Sequence, residues 1–130
     1  MHTLSRILPF ILVLFLLSVF SLWAGDTQPD YENPKALAEL IETGTPEYLL
    51  VDVRTPGEYN SGHIPTAVNI PVSEIAAEPP ETEKERLIIV YCRSGSRSNR
   101  AAGILESLGY KRVFDFGGIY RWEGDLSKVE

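Results

Sequence analysis

The stretch Leu87-Ile88-Ile89-Val90-Tyr91-Cys92-Arg93-Ser94-Gly95-Ser96-Arg97-Ser98 organises the chain around it. Its first five residues form a short, almost continuous apolar run rich in β-branched side chains, which predicts a strand buried on both faces. Small and cationic residues follow. From Ser98 to Leu108, Ala101, Ala102, Ile104, Leu105 and Leu108 recur at helical spacing, and Gly109 stands where a C-terminal cap belongs. A strand running through a small-residue loop into a helix N-terminus is a frame for an anion. Cys92, the single cysteine of the chain, sits at the strand end and is predicted to be a nucleophile in that cradle.

Working outward, Asn33-Pro34 predicts a helix start, with Asn as N-cap and Pro in the first turn; Leu37, Leu40 and Ile41 then follow at helical spacing and Gly44 ends the segment. Tyr48 to Val53 predicts a buried strand, and Arg54 to Tyr59 a turn or short helix. Gly62-His63-Ile64-Pro65 reads as a loop, Ala67 to Ile70 as a short strand closed by Pro71, Val72 to Ala77 as a brief helical piece, and Glu78 to Glu85 as an acidic surface connection. Arg112 to Phe116 is the last expected strand, with a Gly117-Gly118 turn and a helical or irregular segment from Ile119 to Trp122. Strands alternating with helices imply an α/β fold with a parallel sheet covered on both faces, whose reactive site belongs at the carboxyl ends of the strands.

At 130 residues and 44% hydrophobic content, the chain holds one globular domain, expected over 33–130. Met1 to Arg6 followed by the apolar run Ile7 to Phe20 reads as a signal peptide or N-terminal membrane anchor over 1–24, with 25–32 as linker. That reading makes the domain exported: periplasmic in a bacterium, or anchored to the outer side of the inner membrane if the segment stays uncleaved. Outside residues 1–24 there are 11 basic and 18 acidic residues, a formal charge of −7, which argues against nucleic acid as a partner. Against this acidic background Arg93, Arg97 and Arg100 cluster beside Cys92, so a small anionic substrate fits better than a polyanion.

A lone cysteine in an oxidising compartment is either inert and buried or a free thiol kept for reactivity, and the position of Cys92 favours the second. A thiol with an ordinary pKa of ~8.5 is mostly protonated at neutral pH. Backbone N–H groups of the loop, the helix N-terminus near Ser98 and the charges of Arg93 and Arg97 would all favour the thiolate. Gly95 allows a backbone angle that a side chain resists, while Ser94 and Ser96 are small enough to leave the cavity open.

Three stretches together carry a resemblance to single-domain rhodaneses, a family of sulfurtransferases. They are Leu50 to Tyr59 continuing through Gly62-His63-Ile64-Pro65 to Ala67-Val68-Asn69-Ile70-Pro71; Val90 to Ser98; and Gly117-Gly118-Ile119 with Trp122. The resemblance implies a central parallel five-stranded sheet with helices on both faces. It also implies that Cys92 takes sulfane sulfur from thiosulfate or a related anionic donor as a persulfide, then yields it to a nucleophilic acceptor: cyanide, a thiol or a protein. Arg93, Ser94, Gly95, Ser96, Arg97 and Ser98 are then the active-site loop of a monomer that needs no cofactor. Thr66 departs from the pattern, standing where Gly commonly follows the His-Ile-Pro stretch.

The remaining residues read as supporting. Asp52 and Arg54 flank a strand end, and Glu58, one helical turn after Arg54, is expected to pair with it and hold the loop. His63 is expected to be structural, and with the only other histidine at His2 no metal site is implied. Trp122 and Tyr120 are expected to pack, and Arg100 to be solvated. Cysteine phosphatases and arsenate reductases also use a cradled thiolate, but their loop sets Arg after five intervening residues, whereas four separate Cys92 from Arg97. A module that carries persulfide sulfur or binds a partner without general turnover is the non-enzymatic alternative.

Overall fold

The computed structural model describes residues 28–130. The segment expected to be a signal peptide or anchor, residues 1–24, lies outside them. The elements run α1 (Pro34–Thr43), β1 (Tyr48–Asp52), α2 (Pro56–Ser61), β2 (Val68–Asn69), β3 (Leu87–Cys92), α3 (Ser96–Ser107), β4 (Arg112–Gly118) and a 3-10 turn (Ile119–Arg121).

The strands form one parallel sheet in the order β2-β1-β3-β4. Among the described residues it has four strands, which corrects the expected five. Residues 28–130 carry one short apolar run for each of β1 to β4 and no fifth. Val72 to Ala77 makes only turns, with Glu74 N–H and Ile75 N–H both donating to Pro71 C=O, and the acidic, proline-containing run after it pairs with no strand.

Strand β3 is buried at every position, and its side chains alternate between two cores. Leu87, Ile89 and Tyr91 face the core that holds Leu37 and Leu40 of α1, together with Leu50, Ile64 and Phe116. Ile88, Val90 and Cys92 face the core that holds Ala101, Ala102 and Leu105 of α3, together with Val51, Val53 and Ile75. Helices therefore cover both faces, as expected. Tyr31, assigned by its sequence to the linker, is instead 3% exposed and meets Phe114 edge-on at 5.3 Å between ring centroids. The tail of that linker thus belongs to the packed domain.

Capping chemistry sets the helix limits. Asn33 accepts from Lys35 N–H at 2.9 Å and Pro34 opens α1, while Gly44, at φ 65°, returns its N–H to Leu40 C=O at 2.8 Å. Thr66 holds φ 72°, the left-handed conformation for which glycine is the natural choice, and its hydroxyl lies 2.8 Å from that of Tyr48.

Candidate active site

The carboxyl ends of β1, β3 and β4 meet at the loop that follows Cys92. Helix α3 starts at Ser96, earlier than the apolar spacing indicates, because Gly95 at φ 104° turns the chain into the helix and its C=O accepts from Asn99 N–H at 3.0 Å. Arg97 and Ser98 consequently sit in the first helical turn. Opposite them, the β3–β4 register shifts between Val90 and Tyr91, so that Tyr91 and Cys92 face Gly117 and Gly118. A methyl group on Gly118 would lie 2.8 Å from Arg93 C=O, so the loop backbone and β4 approach as closely as glycine permits.

Cys92 is a free thiol, only 1% exposed. Gly95 N–H donates to its Sγ at 3.0 Å, and the Ser98 hydroxyl lies 3.5 Å from the sulfur. That hydroxyl is itself buried and also reaches Gly95 C=O at 3.0 Å. Burial opposes ionisation of the thiol, but the Ser98 hydroxyl and the backbone N–H groups of Ser98, Gly95 and Ser94 outweigh it, and the thiol pKa lies below its ordinary value. The neutral thiol donates to Ser98 Oγ; once its proton leaves, the hydroxyl can rotate and donate to the sulfur.

The expected Arg54–Glu58 pair does not form. Arg54 turns to Asp52, donating from Nε at 3.0 Å and from a terminal nitrogen at 2.6 Å, and reaches Gly62 C=O at 2.7 Å. The end of β1 accounts for this: the chain bends after Asp52, and Arg54 N–H also donates to Asp52 Oδ1 at 2.9 Å, which folds Arg54 back onto that carboxylate. Glu58 instead grips Arg97 through two bonds, Nη1 to Oε1 at 2.7 Å and Nη2 to Oε2 at 3.0 Å. Thr55 and Glu58 form a capping box on α2, which fixes that carboxylate in position. The Arg97 guanidinium first, and the Thr55 bonds with it, outweigh partial burial and lower the Glu58 pKa to about 2.

Tyr91 was not singled out by its sequence position. Its fully buried hydroxyl donates to Asp52 Oδ2 at 2.9 Å and accepts from Ile64 N–H at 3.0 Å. The available signal was a tyrosine inside an otherwise aliphatic buried strand, whose hydroxyl has to find a partner. Desolvation, then the Asp52 charge, push its pKa above the ordinary value. Because Tyr91 and Cys92 are adjacent on β3, the Asp52–Arg54–Tyr91 cluster lies on the α1 side of the sheet and the thiol on the α3 side.

His63 stacks on Tyr59 at 3.8 Å between centroids, bonds Tyr59 C=O through Nδ1 at 2.9 Å, and exchanges backbone bonds with Ser127. These contacts tie the chain after α2 to the segment at Ser127. Arg93 is exposed and forms no ion pair among the described residues. Ser94, Ser96 and Arg100 are also exposed; Trp122 packs at the edge of the α1-side core, whereas Tyr120 is 76% exposed instead of packed. Beside the loop, Arg54, Glu58, Gly62, Arg93, Ile119 and Leu126 line an open cleft of about 570 Å³. No group of three or more potential metal-ligating side chains occurs among the described residues.

Residues 33–125 match the family described as the Rhodanese-like domain. The chain belongs to that family. It is 44% identical over 79 residues to a sulfurtransferase of Allochromatium vinosum, an alignment covering 60% of this chain and 74% of the relative. It is 38% identical over 73 residues to the thiosulfate sulfurtransferase PspE of Escherichia coli, covering 53% of this chain and 68% of the relative. A solved rhodanese with anions from E. coli superimposes with a TM-score of 0.56 at 32% identity, covering 63% of this chain and 99% of that one. The rhodanese-like relatives named as sulfurtransferases support sulfur transfer as the general chemistry of this domain.

Proposed function

We propose that this domain moves sulfane sulfur from thiosulfate or a related anionic donor to a nucleophilic acceptor through a persulfide on Cys92. The observation that carries this reading is the Gly95 N–H bond to a buried thiol whose ionisation is favoured despite its burial. In the first half-reaction the Cys92 thiolate attacks the outer sulfur of thiosulfate. A new S–S bond forms, the old one breaks, and sulfite leaves with the bonding pair. The N–H donors of Ser94, Gly95 and Ser98, with the Ser98 hydroxyl, would then hold the terminal anionic sulfur of the persulfide. In the second half-reaction a thiolate or cyanide attacks that terminal sulfur and leaves as a persulfide or thiocyanate, and the Cys92 thiolate is restored.

A thiolate favoured by these donors would attack without a general base, and His63 is committed to Tyr59. Arg93, the exposed cation on the cleft wall, would meet the sulfonate end of the donor. Asp52, Arg54 and His63 act by holding the loops, and Ser94 and Ser96 leave room above the sulfur. Export of the domain is part of the same proposal and is supported by Arg6 and the apolar run Ile7 to Phe20. Cell fractionation checks it: recovery of the protein from the cytosol overturns it.

Incubation with thiosulfate should add the mass of one sulfur atom to the wild-type protein and none to Cys92→Ser. Cyanide should then release that sulfur with turnover. An unloaded wild-type protein, or equal turnover in Cys92→Ser, would refute the proposal; loading without cycling to cyanide or small thiols would establish the carrier alternative instead.

A further inference from the structure

The arginines of the Cys92 loop and of the cleft beside it are unequally occupied. Arg54 is committed to Asp52, and both terminal nitrogens of Arg97 are committed to the two oxygens of Glu58. Arg93 alone among these three forms no ion pair among the described residues. Arg97 nevertheless belongs to the site: it sits in the first turn of α3 next to Ser98, whose hydroxyl lies 3.5 Å from the sulfur, and its partner Glu58 lines the cleft with Arg93. An arginine fork on the loop that cradles a sulfur is the kind of group that binds tetrahedral oxyanions through two bonds, and here a carboxylate already fills it.

We propose that Glu58 is a specificity-determining positioning residue: it occupies the Arg97 fork and so withholds that cation from oxyanions at Cys92. The proposal deepens the sulfur-transfer reading, and rests on it for its purpose. A donor must give up its sulfur and an oxyanion product must leave, so a cradle with a free bidentate arginine would retain sulfite and admit phosphate and sulfate. Glu58 is suited to this task because Thr55 donates to its Oε1 from the hydroxyl at 3.1 Å and from N–H at 3.3 Å, holding the carboxylate without help from Arg97. The carboxylate and the guanidinium come from α2 and α3, 39 residues apart, so the pair also fixes the distance between the two loops that flank the cleft.

Alkylation of Cys92 tests this without requiring any sulfur transfer. Iodoacetate and neutral iodoacetamide attack the same thiolate, so their rate ratio reads the local charge, and inorganic phosphate serves as the competing oxyanion. Glu58→Gln keeps a side chain able to complete the capping box while removing the charge that holds Arg97. In this variant the iodoacetate-to-iodoacetamide ratio should rise and phosphate should protect Cys92 about tenfold more tightly, as expected for an added charge-assisted fork. Glu58→Gln/Arg97→Gln should return both readings to wild-type values. Arg97→Gln alone should bind phosphate as weakly as the wild type does, because its fork was never available, and this variant remains informative if Glu58→Gln fails to fold. Unchanged phosphate protection in a folded Glu58→Gln, equal protection in the double variant, or a tenfold loss in Arg97→Gln would each overturn the proposal.

Discussion

The Ser98 hydroxyl and the Glu58 carboxylate show what single groups contribute beside the thiol. Ser98 is fully buried and its side chain is the largest of the influences that lower the Cys92 pKa against the cost of burial. Ser98→Ala removes that donor but keeps the helix, so the pH profile of Cys92 alkylation should move to higher pH and the rate at neutral pH should fall. An unmoved profile would mean that the backbone donors suffice. Glu58 carries the other titration with a definite sign. Its folded pKa of about 2 lies below the ordinary 4.5, so its contribution to stability is complete above the ordinary value and is lost as pH falls toward 2. Denaturation of wild type and Glu58→Gln should therefore give a stability difference that is flat from pH 5 upward, as expected from linkage, and shrinks as the medium becomes acidic enough to protonate the carboxylate.

Between elements, the decisive link is the buried Asp52–Arg54–Tyr91 cluster that joins the end of β1 to β3 and, through Ile64 N–H and Gly62 C=O, to the loop after α2. Tyr91→Phe leaves a carboxylate oxygen and an amide short of one partner and should cost about 1–3 kcal/mol. Asp52→Ala strands the Arg54 guanidinium, 7% exposed, and should cost more, about 3–5 kcal/mol for a broken buried pair. Urea denaturation orders the two; a Tyr91→Phe loss equal to that of Asp52→Ala would contradict the cluster's hierarchy. This scale also marks where the sequence stopped being legible. The strand ending at Cys92, the cradle, the parallel sheet and both covering helices follow from periodicity and turn chemistry, which are local. The choice of partner for Arg54 does not: helical spacing pointed to Glu58, while the bend after β1 turned Arg54 back to Asp52 and left Glu58 to an arginine in another element. Tyr91 was hidden for the same reason, since its partners lie on β1 and in the loop before β2. The five-strand expectation came from resemblance alone, with no fifth apolar run among 28–130 to support it.

Across the whole domain, one sheet separates two cores with different duties. The α1 side holds Leu37, fully buried, with the Asp52 cluster nearby; the α3 side holds Leu105, also fully buried, in the same helix that begins with Arg97 and Ser98. Leu37→Ala and Leu105→Ala remove similar volumes from close-packed surroundings, and each should cost about 2–5 kcal/mol in urea denaturation. Since the two side chains share no core, their effects should add to within about 0.5 kcal/mol in the double variant. Their consequences for the thiol should differ. A cavity beneath α3 lets its first turn shift, weakening the donors of Ser98 and Gly95 to Cys92, so alkylation at neutral pH should slow in Leu105→Ala. The sheet lies between the thiol and the α1 cavity, so Leu37→Ala should alkylate at the wild-type rate under conditions where both variants remain folded. Equal slowing in both would mean that packing on either face controls the cradle, and that the sheet does not insulate the thiol from the core behind it.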